Sequence, residues 1–305
     1  MKNIFIITAI CLIFIARSSC YAQQTAVFAD YYHNPLMLNP AISGFYANSD
    51  FTLSGRINTG AVEGAPETMS LTYHTPIDSK KMGLGAIIIN DKVGVSTKTS
   101  FYGTYAFKLI SKENRMSESW YYSPTVLSLG LSVGVSKYTE DLLSLDILND
   151  PEFQSNINET IPSVGIGFLY NEKTFYLGLS TNNLLKKTTS SENNINIKNH
   201  YYLNSGYRAY ISRFSFVEPS ILLKYVNGAP MQIDINCLYN YHNKYEFGIG
   251  YRTTNTVNLL AGFYLGHNFR FIYNYSPAIG NSPLGHSHGL ILSYRFGTGY
   301  INNDF

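Results

Sequence analysis

From Val126 to Lys137 the chain alternates without a break, with Leu127, Leu129, Leu131, Val133 and Val135 in one phase and Ser128, Gly130, Ser132, Gly134 and Ser136 in the other. A period of two puts the two sets on opposite faces of a β-strand. A soluble sandwich also alternates, but its polar face meets bulk water and usually carries Lys, Glu and Thr. A face made only of Ser and Gly suits a crowded or enclosed interior better. The same pattern recurs at Phe101, Gly103, Tyr105, Phe107 and Leu109, at Val164, Ile166, Phe168 and Tyr170, and at Phe175, Leu177 and Leu179. Toward the C-terminus it returns at Met231, Ile233, Ile235, Cys237 and Tyr239, at Tyr245, Phe247, Ile249 and Tyr251, and at Leu290, Leu292, Tyr294 and Phe296. This spacing predicts about 14 strands of about 10 residues joined by short turns, which fits a transmembrane barrel.

Lys2, the apolar run from Ile4 to Ile15 and then Cys20-Tyr21-Ala22 read as a secretory signal cleaved after Ala22. Arg17 sits where a lipoprotein signal wants an apolar residue, so a lipid anchor is not expected. Export plus amphipathic strands predicts a bacterial outer-membrane protein. Its sheet must close, because lipid offers no partners to a free strand edge. The expected division is a signal over 1–22, a non-regular N-terminal segment over 23–49, a single antiparallel β-barrel over 50–296 and a tail over 297–305.

Composition agrees with a membrane barrel. Charged residues are only 14% of the chain and aromatics 15%, with 26 tyrosines, against about 25% charged in an average soluble domain. Pairs such as Tyr121-Tyr122, Tyr201-Tyr202 and Tyr239 with Tyr241 are placed for interfacial girdles. The competing reading, a soluble all-β sandwich, needs a consistently charged outer face that is not there. A net charge of +2 without a Lys/Arg cluster gives no nucleic-acid footprint. After cleavage only Cys237 remains, so no internal disulfide is expected, and in the apolar phase it reads as a small lipid-facing hydrophobe.

The polar phase of the later strands carries Glu218, Lys224, Gln232, Asp234, Asn236, Glu246, Arg252, Arg270, Asn274 and Arg295. Hairpins turning at Gly228 and at His242-Asn243 bring Lys224, Asp234 and Arg252 together as a lumen charge cluster. Such charges either hydrate a pore and tie strands together or hold a plug. Two non-strand segments are candidates to fill the lumen, Thr25 to Asn48 and Glu140 to Thr160. The first contains YYHNPLMLNPAISGFY, where Asn34-Pro35 and Asn39-Pro40 interrupt an apolar stretch. Proline removes a donor and biases the preceding residue to extended geometry, so no ladder runs through it. Asn bonds its own local backbone, so the segment can still be ordered, as a plug or a docking element.

Candidate chemistry is thin. His286-x-His288 has no Asp, Glu or Cys nearby in sequence to complete a metal site. Ser70 and His74 share a strand face, but no nucleophile elbow or phosphate-binding loop accompanies them. No enzymatic activity, cofactor or metal is expected.

The export signal, the tyrosine-rich Asn-Pro segment and the strands that follow resemble the PorP/SprF family of the type IX secretion system in Bacteroidota. Further matches are Gly64-Ala65-Pro66 with Thr68, His74-Thr75-Pro76, Asn90-Asp91-Lys92 with Gly94, Tyr105-Ala106, Leu177-Gly178-Leu179-Ser180, Asn183-Leu184, Gln232 to Asn236, Gly248 to Arg252, and Ser287-His288. Two positions depart from the family's usual pattern. Ile57-Asn58-Thr59-Gly60 follows Arg56 where a Gln-Trp pair is usual, and Gly289 stands where an acidic residue is. They bear on partner choice and leave the fold intact. The resemblance implies a non-enzymatic outer-membrane barrel of the secretion or gliding machinery. It binds, helps export or anchors a secreted protein with a C-terminal sorting domain, and in some members associates with periplasmic ring proteins or lipoproteins. The alternative is a passive porin or small-solute channel.

Overall fold

In the computed structural model, which describes residues 31–59, 64–77, 81–112, 124–147, 150, 153–185, 198–212, 214–254, 256–278 and 285–300, the alternating segments are β-strands. The expected signal over 1–22, the Tyr121-Tyr122 pair and residues 301–305 of the expected tail lie outside the described residues.

The first half supplies β1 (Asp50–Thr59), β2 (Glu67–Ile77), β3 (Met82–Val93), β4 (Ser96–Lys112), β5 (Thr125–Glu140), β6 (Ile157–Asn171) and β7 (Phe175–Asn182). The second supplies β8 (His200–Tyr207), β9 (Ala209–Ser212), β10 (Ser215–Val226), β11 (Gln232–Tyr241), β12 (Tyr245–Arg252), β13 (Thr256–Leu265), β14 (Phe269–Ser276) and β15 (His286–Arg295). Neighbouring strands pair antiparallel, and β1 pairs with β15 from Asp50↔Arg295 to Thr59↔His286, which closes the ring. β8 and β9 both pair with β10, interrupted at Arg208, and so make one stave. Fifteen segments less one leave a closed barrel of 14 strands.

Three strands exceed the expected length: β4, β5 and β6 run to 17, 16 and 15 residues. Along β5 the outward Leu129, Leu131, Val133 and Val135 are exposed while Ser128, Ser132 and Ser136 are buried. An exposed apolar band around the whole ring is a liability in water and is solvated in hydrocarbon. The register of β4 against β5 shifts between Lys108 and Ile110. This bulge leaves Leu109 and Ile110 both exposed outside, while Lys108, the last residue of the regular inward phase before it, is buried in the lumen.

At one end lie the start of β1, the finish of β15 and the tight connections 172–174, 242–244 and 266–268. His242 and Asn243 take φ of 53° and 47°, left-handed at both central positions of the tight turn that Lys244 N closes on Tyr241 O at 2.8 Å. The opposite end carries the longer connections 141–156, 183–199 and 277–285. The two longest connections, 141–156 and 183–199, lie at that end, as on the outer side of bacterial barrels, although it also carries the tight connections 94–95 and 253–255 and the 113–124 connection lies at the terminal end.

The two segments considered for the lumen part ways. Residues 31–44 are enclosed by the barrel, with Leu36, Asn39, Ala41 and Ser43 almost wholly buried. The described residues of Glu140 to Thr160 do not fill the lumen. The ends of this stretch belong to β5 and β6, and between them a short 3₁₀ turn, Leu142–Leu145, leaves Leu143 and Leu145 exposed at the loop end.

Candidate functional site

Each Asn-Pro pair opens a 3₁₀ turn, Pro35–Met37 and Pro40–Ile42, with proline at the first position, where its missing N–H is not needed. Asn39 caps its own turn, accepting from Ala41 N at 3.0 Å, and its Nδ2 donates to Phe168 O of β6 at 2.9 Å. Asn34 makes no such cap; its Oδ1 accepts instead from Thr72 Oγ1 of β2 at 2.9 Å. One motif therefore serves two purposes, ordering the turn at Asn39 and fastening the segment to the wall at both.

Further bonds fix the segment from several strands. Ser180 Oγ donates to Leu38 O at 2.7 Å, Ser43 Oγ to Thr104 Oγ1 at 2.7 Å, and Gly44 N to His74 Nδ1 at 3.2 Å. Lys108, on the inward phase of β4, donates its Nζ to Gly44 O. Across the lumen His33 Nε2 meets Glu246 Oε2 of β12 at 3.0 Å, Arg270 Nη2 donates to His33 O at 2.9 Å, and Asn236 bonds the Tyr31 hydroxyl. Burial holds that hydroxyl above its ordinary range, and the Asp234 carboxylate adds to the effect, so Tyr31 is a neutral partner.

The wall is shaped to the segment. Gly130 and Gly167 face each other across β5 and β6. A Cβ on Gly130 would overlap Ala41 N, and one on Gly167 would overlap the Asn39 side chain. On β3 a Cβ at Gly83 would strike Ser43. The Ser/Gly face read from the sequence is thus the bed on which Asn39, Pro40 and Ala41 lie. Leu36, Ala41 and Ile42 pack there with Ile87 and Leu169 in a small apolar cluster.

Of the three residues placed in a lumen charge cluster, Asp234 stands directly opposite Arg252 and accepts from its Nε at 2.9 Å and its Nη2 at 2.7 Å. Gln232 Nε2 also donates to Asp234 Oδ1 at 2.9 Å, and Lys224, opposite Gln232, lies diagonal to the pair. Two further ion pairs line the lumen, Arg208 with Glu218 at 2.9 Å and Arg295 with Asp50 at 2.9 Å. The Arg295 guanidinium is stacked between Tyr46, 3.4 Å from the ring centroid, and Tyr300 at 4.1 Å. Sequence reading missed His33, Asp50, Arg208 and Tyr300. Asp50 was findable, since it shares the inward phase of β1 with Thr52, whereas the others lie outside any alternating run.

The remaining candidates are not assembled into sites. Ser70 bonds Ser54 Oγ and Met37 Sδ, while His74 accepts from Gly44 N. His286 and His288 meet Tyr275 and Tyr273 hydroxyls at 2.8 and 2.6 Å on the exterior, and Cys237 is exposed. Among the described residues no group of three metal-ligating side chains occurs.

These features define an outer-membrane type of β-barrel whose lumen is occupied by its own N-terminal segment. The family of type IX secretion system membrane proteins PorP/SprF matches residues 20–294, and the chain belongs to that family. It is a family of secretion-system membrane proteins, not of enzymes. No curated protein matches. Among solved structures, a deltaS2S3 mutant of the monoaromatic hydrocarbon channel TodX is 12% identical, covers 85% of this chain and 93% of its own, and has a TM-score of 0.50. TodX of P. putida is 10% identical, covering 86% and 93% with a TM-score of 0.49. A FadL homologue of Pseudomonas aeruginosa is 10% identical, covering 85% and 93% with a TM-score of 0.48. At such identities the likeness concerns the fold alone.

Proposed function

We propose that the protein is a non-enzymatic barrel of the type IX secretion machinery that binds a secreted cargo protein and helps export it or holds it at the cell surface, as in gliding. It reaches the outer membrane through its N-terminal signal. The observation that supports this reading over a passive porin is the occupied lumen. A wall with glycines beneath Asn39, Pro40 and Ala41 is built around a segment rather than around moving solute. In this reading Asn34, Pro35, Asn39 and Pro40 form the working part of a plug, and Lys224, Asp234 and Arg252 brace the wall beside it. The cargo is a secreted protein with a C-terminal sorting domain. It meets the barrel at the loop end, where Leu143, Leu145 and Ile147 are exposed beyond the strands. Ring proteins or lipoproteins of the system meet the terminal end.

Purification of the barrel from its native membrane at natural abundance tests this. A large exported protein is expected to accompany it, and that protein's last domain alone is expected to recapture the barrel. Absence of both associations, with solute uptake depending on the barrel alone, would instead establish the channel reading.

A further inference from the structure

Beyond β15 the chain turns back onto the barrel. Gly297 and Gly299 take φ of 62° and 71°, left-handed values that curl residues 296–300 against the terminal mouth. Phe296 N donates to Ser49 O at 3.0 Å and Asn48 Nδ2 to Thr298 Oγ1 at 3.0 Å, so the tail meets the lumen segment where the segment leaves for β1. Farther along, Asn268 Nδ2 donates to Gly297 O at 3.1 Å, Tyr300 N to His267 O at 2.7 Å and Asn243 Nδ2 to Tyr300 O at 2.6 Å. The tail thus follows the rim from β1 to the turn between β11 and β12. None of these bonds is needed to close the ring, because β15 already has β14 and β1 as neighbours.

Residues near a chain end are poorly ordered unless something ties them down. Here the tie is Tyr300, which is 6% exposed. Its ring centroid lies 4.1 Å from the Arg295 guanidinium and 5.1 Å from that of Arg270, and it meets the Tyr264 ring edge-on at 5.1 Å. All three of these residues lead to the segment. Arg295 has Tyr46 on its other face, and the Tyr46 ring rests against His74, which accepts from Gly44 N. Arg270 donates to His33 O, and the Tyr264 hydroxyl donates at 2.6 Å to Glu246, the partner of His33 Nε2. The Tyr300 hydroxyl itself adds little, since it stands 3.5 Å from Asp50 Oδ2. The segment is joined to the wall at Ser49, so its shortest way out of the lumen passes the tail.

From these contacts we infer that residues 296–300 are a latch on the lumen segment. The Tyr300 ring keeps Arg295, Arg270 and Tyr264 in the positions that grip Tyr46 and His33, and the segment is freed when the tail lifts from the mouth. A protein that takes hold of the tail from the terminal side then opens the lumen without entering it. The inference concerns how the segment is held, and stands whether the barrel serves an exported protein or a solute.

The reaction of a buried thiol reads the latch. In the mature protein in amphipol, S43C in a C237S background puts the thiol where Ser43 is wholly buried between the segment and β4, so it reacts with a maleimide only when the segment unseats. Y300A is expected to speed that reaction about tenfold, through loss of two buried cation–π contacts, and Y300F, which keeps the ring, to stay within about twofold of the parent. G299A puts a Cβ against His267 O on a left-handed backbone. It shifts the tail without altering the ring, and is expected to accelerate the reaction as Y300A does. Heat-dependent gel migration shows separately whether each barrel is folded. An unchanged rate in folded Y300A or folded G299A, or Y300F as fast as Y300A, overturns the proposal. Loss of the folded band in both Y300A and G299A overturns it as well, since the tail would then belong to the stability of the ring rather than to the hold on the segment.

Discussion

Arg252 and Asp234 sit on adjacent strands with both side chains almost wholly out of solvent, joined by Nε and Nη2 contacts to one carboxylate. A buried pair of this kind is expected to be asymmetric in its response to mutation. D234A leaves the Arg252 cation enclosed with Lys224 diagonal to it, and is expected to destabilise the barrel by about 3 kcal/mol. D234L combined with R252L removes both charges and is expected to recover most of that loss, because desolvation of each ion disappears along with their attraction. Urea midpoints in micelles for D234A and for the double variant measure this, and equal loss in the two contradicts it. Asn39 supports a second residue-scale expectation. It both caps its turn and donates to Phe168 O, so N39A should weaken seating of the segment by about 1–2 kcal/mol. N34A removes only the Thr72 contact and should cost less. Proteolytic susceptibility of residues 31–49 in each purified variant ranks the two.

At the scale of the element, the relation between the segment and its glycine bed is testable from the wall side. G130L leaves the segment's sequence untouched and puts a branched side chain where Ala41 N lies. The segment is expected to leave that position while the barrel stays closed, because Gly130 pairs through its backbone with β4 and β6. G103L on the outward face of β4 is the matched control, since a Cβ there has only Val133 O at 3.9 Å within reach. Cleavage of the segment by added protease in G130L but not in G103L is the expected outcome.

The sequence was legible where a local pattern carries global information. Strand alternation is such a pattern, because one step along the chain changes face, so Leu127 to Val135 already declare an outside and an inside. The Asp234–Arg252 pairing followed from the same rule, through the hairpin turn at His242-Asn243. What was not legible lacks any local period. His33 and Glu246 are 213 positions apart, and no spacing in the chain announces that meeting. Gly130 and Gly167 were visible as small inward residues, but which segment would rest on them was not. The exposed turn at Leu142–Leu145 was misjudged because a break in alternation marks the end of a ladder without saying on which side of the wall the chain leaves it.

For the whole molecule, the consequence is a barrel whose ring is closed by β1 on β15 and whose interior depends on a segment outside that ring. A ring of 14 strands is wide enough to enclose an aqueous opening unless something fills it. Here residues 31–44 cross from β4, through Ser43 with Thr104, to β12, through His33 with Glu246. The segment is held chiefly by hydrogen bonds, with two small clusters as apolar adhesive, one around Leu36, Ala41 and Ile42 and one in which Tyr31 and Leu38 meet Tyr202 and Leu222. Each such bond contributes about 1 kcal/mol net, so seating is the sum of many small terms that a partner able to offer alternative bonds could replace one at a time. Deleting residues 31–44 should therefore leave the ring intact, since every strand keeps both neighbours, and convert the lumen to a conducting one. In planar bilayers the intact protein is expected to show little steady conductance and the deletion a large, stable one, with G130L between them. A large steady conductance from the intact protein, equal to that of the deletion, would mean that the segment does not seal the lumen and that the passive channel is the better description.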